Sequence, residues 1–106
     1  MKIAPELFNE LCIEHDIHPP EHEYRFHPSR KWRMDYAFVW ARVFLEVQGA
    51  LFTGGRHTRG AALLKEYEKI NAATCLGWRP LFCTPQQVED GSIFPVIREA
   101  IVYDAP

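Results

Sequence analysis

Asp35, Glu46 and Gln48 are the residues whose types and spacing could do chemistry. The aspartate lies in one alternating run, the glutamate in the next, and the glutamine two positions further on. Carboxylate and amide oxygens are hard donors of the kind taken by Mg²⁺ or Mn²⁺, which keep waters in their remaining positions. A cation held this way lowers the pKa of a water and stabilises charge on a phosphoryl oxygen. Whether the three side chains meet depends on the strands that carry them.

Residues 32–39 alternate, with Trp32, Met34, Tyr36 and Phe38 on one face and Arg33, Asp35, Ala37 and Val39 on the other. Residues 42–48 alternate again, with Phe44, Glu46 and Gln48 sharing a face. So short a link predicts a hairpin. With Trp40 and Ala41 as its turn, Val39 pairs with Arg42 and Asp35 stands opposite Glu46, their Cβ atoms about 5 Å apart. Gln48 would lie roughly 7 Å further along the same face. Trp-Ala is not a favoured turn pair, and a one-residue slip would send one carboxylate to the other face. The blander alternative makes Asp35 an exposed neighbour of Arg33 and Glu46 a surface partner for an arginine. Against it, Phe44 shares the face of Glu46, and Leu45-Glu46-Val47 belongs to a run expected to be buried, where an unpaired carboxylate is costly.

Basic residues flank this patch in the sequence. Arg25, Arg30, Lys31 and Arg33 precede Asp35; Arg56, His57 and Arg59 follow Gln48 in a segment read as a loop from Thr53 to Gly60, with Gly54-Gly55 inside it. Such groups hold phosphates, and backbone contacts of this kind position DNA without reading its sequence. The formal charge of −2 gives no global basic signal, so any nucleic-acid contact must be local. The alternative is a solvated loop whose charges only aid solubility. His15, His18, His22 and His27 lack a cysteine or carboxylate frame of structural-zinc spacing, which points away from zinc. No His-Asn-His frame surrounds GGRHTRG. Trp32, Tyr36, Phe38, Trp78 and Phe82 read as core or sheet surface, with stacking on bases the sharper alternative.

The elements that must position these residues follow from periodicity. A helix is expected over about residues 4–15, with Pro5 in its first turn and Leu7, Phe8, Leu11 and Cys12 on its apolar side. Pro19-Pro20 bars its continuation. Strands are expected at 23–27, 32–39, 42–48 and 78–84. Between the last two, a long helix over 60–76 would bury Leu63, Tyr67, Ile70 and Thr74 and stop at Gly77. A short helical turn at 85–90 and a final helix capped by Ser92, carrying Ile93, Val96, Ile97, Ala100 and Ile101, complete the order. That order implies an α/β (α+β) fold, a small mixed sheet flanked by helices, in one domain spanning residues 1–106. A composition 47% hydrophobic and 25% charged is that of a globular chain rather than a disordered one. Cys12, Cys75 and Cys83 show no CxxC spacing and read as reduced, buried thiols. With no signal-like or membrane-spanning run, no membrane partner is expected and the cytoplasm is the expected compartment.

At these residues the chain resembles the PD-(D/E)XK, or restriction-endonuclease-like, nuclease superfamily. Asp35 matches the aspartate of its signature, Glu46 the acidic residue, and Gln48 the place of the lysine. More narrowly, RFHPSRKWRMDYAF, FLEVQGALFTGGRHTRG and EKINAATCLGWRPLFCTP resemble a group of short phage and prophage endonucleases, from about Glu23 to Gly91. The resemblance implies an αβββαβ core and a Mg²⁺- or Mn²⁺-dependent DNA endonuclease leaving 5′-phosphate and 3′-hydroxyl ends. Asp35 and Glu46 would hold the metal, and Gln48 would place the attacking water or lend an oxygen. Some restriction enzymes of this fold carry Glu-x-Gln, so Gln48 does not imply a dead site. It does ask what supplies the missing cation. Lys69, at the edge of the expected stripe and one turn beyond Glu66, is the candidate; a solvated helix charge is its plain alternative. Other expectations compatible with the resemblance are a catalytically inactive DNA- or protein-binding module and a junction-specific resolvase. A homodimer is one way so small a domain would cut both strands at once.

Overall fold

Seven of the eight expected elements begin within two residues of where periodicity puts them. In a computed structural model of the protein, which describes residues 3–48 and 56–103 (the side chains of 56–59 excepted), α1 spans Pro5–Glu14 and β1 Glu21–Arg25. Strands β2, Arg33–Phe38, and β3, Val43–Val47, follow. Helix α2, Arg56–Cys75, leads to β4, Arg79–Cys83, then α3, Pro85–Glu89, and α4, Ile93–Val102. The strands form one mixed sheet in the order β1-β2-β3-β4; the first three are antiparallel, and β3 pairs with β4 in parallel. A parallel neighbour needs a crossover, and α2 supplies it.

The β2–β3 connection differs from the turn expected. Val39–Ala41 is a short 3₁₀ turn, and Arg42 closes it in the left-handed region at φ 54°. A two-residue turn of the favoured type needs positive φ at its central residues, which Trp-Ala does not supply. The loop therefore widens by one residue on each side, to 39–42. Because the widening is symmetric, Phe38↔Val43, Ala37↔Phe44 and Tyr36↔Leu45 keep the expected register.

Alternation along the strands builds two apolar clusters. Tyr36, Phe38, Val43 and Leu45 join Phe8 and Cys12 of α1, Val88 of α3 and Phe94 and Ile97 of α4. Phe8 lies flat on Tyr36, ring centroids 3.8 Å apart. Ala37 and Phe44, of opposite parity, join Ala73 of α2 and Trp78; Met34, expected on the face of Tyr36 and Phe38, packs in this second cluster instead. Helices α1, α3 and α4 thus serve one cluster and α2 the other, with the sheet shared between them.

Several expectations need correction. Leu7 and Val96 are exposed, and Phe94 takes the core place on α4. Ser92 precedes α4 but makes no capping bond; Thr84 instead caps α3 in a reciprocal box with Gln87. Helix α2 begins at Arg56, so the loop expected through Gly60 ends earlier; its part before Arg56 lies outside the described residues. Tyr67 and Thr74 are exposed, whereas Lys69 and Ala73 are buried. The buried side of α2 runs Glu66, Lys69, Ala73, a helical spacing with charged members. Gly77, at φ 90°, ends α2 as expected: its amide donates to the Thr74 carbonyl and that of Trp78 to Ala73, a pattern that needs a left-handed residue. Cys12 and Cys83 are buried, and burial pushes their thiols up to about 12 and about 11; Cys75 is exposed, contrary to expectation.

Candidate active site

One step beyond Tyr36↔Leu45, the register sets Asp35 opposite Glu46. There the two side chains do what the backbone ladder does elsewhere. The Asp35 amide donates to Glu46 Oε2 at 2.9 Å, and the Val47 amide donates to Asp35 Oδ2 at 2.9 Å. Each carboxylate is thus held by the opposite strand, and the two point to the same face. Gln48 continues β3 by donating its amide to the Cys83 carbonyl at 2.8 Å.

Helix α2 covers this face. Lys69 is buried, and its Nζ lies 2.5 Å from Glu46 Oε1. The plain alternative for Lys69, a solvated helix charge, does not hold. Glu66, one turn earlier, accepts a bond from Gln48 Nε2 at 3.3 Å and stands 3.8 Å from Lys69 Nζ. Strand β2, strand β3 and α2 therefore bring Asp35, Glu46, Gln48, Glu66 and Lys69 together.

The electrostatics follow from burial. Glu46 is 4% exposed, and loss of water pushes its carboxyl well above the ordinary range; nearby Asp35 adds to this, while the Lys69 ammonium and the Asp35 amide oppose it. Asp35 moves in the same direction, first through burial, against the Val47 amide and Lys69, with Glu23 and Glu66 adding to the rise. A site where two carboxylates resist ionisation together is one that a cation would relieve. Among the described residues, no group of three or more His, Cys, Asp or Glu side chains gathers as a metal cage. Asp35 and Glu46 are the pair that could hold a cation of the Mg²⁺ type, which binds through one or two carboxylates and completes its shell with water and phosphate oxygens.

The expected basic residues separate into two sets. Arg30, Lys31 and Arg33 are exposed on and beside the β1–β2 connection. Arg30 lies over the Trp32 ring at 3.8 Å and meets Glu68 of α2 at 3.6 Å. With Ser29, Lys31 and Trp32 it lines an open hollow of about 460 Å³. His27 shapes this connection, its Nδ1 accepting from the amides of Ser29 and Arg30. Arg33 stands directly opposite Arg25 in the β1–β2 pair, two residues before Asp35. The side chains of Arg56, His57 and Arg59 lie outside the described residues; their backbone forms the first turn of α2 rather than a loop.

Sequence reasoning missed two residues. Glu66 enters the sequence reading only as the residue one turn before Lys69, with no role of its own. Glu23 continues the β1–β2 register opposite Asp35, and its φ of 50° is a left-handed conformation that a glutamate seldom adopts. The spacing of Glu66 before Lys69 was the available signal for the first; nothing in the sequence marks the second. The other histidines have local partners: His15 Nδ1 with the Leu11 carbonyl, and His22 Nε2 with Asn9 Oδ1.

No protein-family model, curated protein or solved structure gives a significant match to this chain. Among the described residues, no helix is long and apolar enough to cross a membrane.

Proposed function

We propose that this protein is a divalent-cation-dependent DNA endonuclease with a restriction-endonuclease-like core. The observation that carries the reading is the buried lysine of α2 against the strand carboxylate opposite Asp35: Lys69 Nζ to Glu46 Oε1, 2.5 Å. A lysine two residues after the acidic position is what the resemblance leads one to expect, and Gln48 stands there instead. Lys69 brings an ammonium to the same carboxylate from another element. The element order, α1-β1-β2-β3-α2-β4, is compatible with an αβββαβ core.

Asp35 and Glu46 would hold Mg²⁺ or Mn²⁺, with Gln48 or a nearby backbone carbonyl lending an oxygen. When bound, the cation supplies Lewis-acid polarisation of the scissile phosphate and makes the attacking water more acidic. Lys69 sets its ammonium where charge grows on the phosphoryl oxygens as water attacks in line. Arg30, Lys31 and Arg33, with Arg56, His57 and Arg59, hold flanking phosphates and fix the duplex in place. The products are 5′-phosphate and 3′-hydroxyl ends.

A second reading, a non-catalytic DNA- or protein-binding module, draws on the same contacts: Glu46 already has the Asp35 amide and Lys69 as partners, a self-satisfied arrangement. Purified protein with supercoiled plasmid and Mg²⁺ or Mn²⁺ separates the two. Nicking or linearisation by wild type, lost in Asp35→Ala and Glu46→Ala, is expected. Equal background cutting by all three proteins would leave the binding module. A four-way junction run beside linear duplex distinguishes a resolvase, and sedimentation with and without DNA reports whether a homodimer forms.

A further inference from the structure

We infer that Glu66 is a positioning residue: it receives the Lys69 ammonium when a divalent cation takes Glu46, and it fixes which end of the Gln48 amide faces the reacting groups. The inference rests on the cation site proposed above.

Three distances carry it. Lys69 Nζ is 2.5 Å from Glu46 Oε1 and 3.8 Å from Glu66 Oε1, so the ammonium lies between two carboxylates and is bonded to one. A cation on Glu46 and the ammonium on the same oxygen would repel at short range. Lys69 must then yield, and in so buried a place it needs another acceptor. Glu66 is that acceptor. It precedes Lys69 by three residues on one helix, so a change of side-chain torsions suffices and α2 need not move. The same Glu66 oxygen accepts from Gln48 Nε2 at 3.3 Å. A carboxylate accepts only, so it selects the amide NH₂ and turns the Gln48 oxygen away from itself, leaving that oxygen as the end available to a water or cation. Glu66 thus orients both groups that stand in for the missing motif lysine, without being a cation ligand.

The test uses Mn²⁺ alone, titrated into the full chain and read by electron paramagnetic resonance, with plasmid cleavage measured separately. Glu66→Ala is expected to weaken Mn²⁺ binding about 10-fold, at the lower end of what outer-shell partners of a metal site contribute. In a Lys69→Met background that also carries Gln48→Ala, Glu66→Ala is expected to change Mn²⁺ affinity little, because neither an ammonium nor an amide remains to be positioned. Lys69→Gln serves as the background if Lys69→Met does not fold. A loss that persists in that background would make Glu66 a direct ligand and overturn the inference, as would an unchanged affinity in Glu66→Ala alone. If wild type binds no Mn²⁺, both the inference and the cation site fall. If Mn²⁺ binds with the expected coupling but DNA is not cut, the nuclease reading falls and the role of Glu66 stands.

Discussion

Lys69 of α2 and Glu46 of β3, 23 residues apart in sequence, meet as a buried ion pair at 2.5 Å. Glu46 is held from its other side by the Asp35 amide, so one carboxylate joins both strands of a hairpin to the helix that covers them. A charge so placed is costly unless fully partnered, and its neighbours should be energetically coupled.

Removing the ammonium should be expensive. Lys69→Met is expected to destabilise the fold by about 3 kcal/mol near pH 8, the range found when one member of a buried pair is lost. Adding Glu46→Gln should recover part of that, since no unpaired carboxylate then remains. Urea unfolding of wild type, both single variants and the double variant measures the coupling. Additive changes would mean the contact is not an energetic pair.

The stability should fall toward alkaline pH. Burial pushes the Glu46 carboxyl from 4.5 up to about 8. A raised folded-state pKa means that the folded state holds the proton more tightly than the unfolded state does. The resulting stability is fully present below about 4.5 and is lost as pH rises through about 8. Asp35 contributes with the same sign. Unfolding free energy is therefore expected to decline across this window without divalent cation and to depend less on pH in Glu46→Gln. An equal slope in that variant would remove Glu46 as the cause.

Hairpin register should depend on Arg42. Its φ of 54° suits glycine and is poor for a β-branched residue. Arg42→Val is expected to be less stable than Arg42→Gly by about 1–2 kcal/mol. The comparison controls for loss of the guanidinium, which lies 5.2 Å from the Trp78 ring centre in the native protein. Equal stabilities by thermal unfolding would show that this connection carries no backbone strain.

The exposed basic residues should act through phosphates. Arg30→Ala and Lys31→Ala are each expected to weaken DNA binding about equally across unrelated sequences. Each should also reduce the slope of log affinity against log salt by about 1. Fluorescence anisotropy over a salt series checks this, and a sequence-selective loss would argue for base contacts instead.

The sequence by itself determined the local terms. Strand alternation set the two sheet faces around the hairpin, though not at Met34, which packs with Ala37 and Phe44; Gly77 set the end of α2, and the pairing of Asp35 with Glu46 followed once the hairpin was recognised. That register survived a wrong turn type because the loop widened equally on both sides, leaving Tyr36 opposite Leu45. Only the tertiary structure decided the polar half of the site. Hydrophobic periodicity seeks an apolar stripe, and on α2 it pointed to Tyr67 and Thr74, both exposed. The side that packs on the sheet instead runs through Glu66 and Lys69, because there the sheet presents carboxylates rather than hydrocarbon. A helix charge is stabilised in the interior by what stands opposite it, and that partner comes from a distant part of the chain.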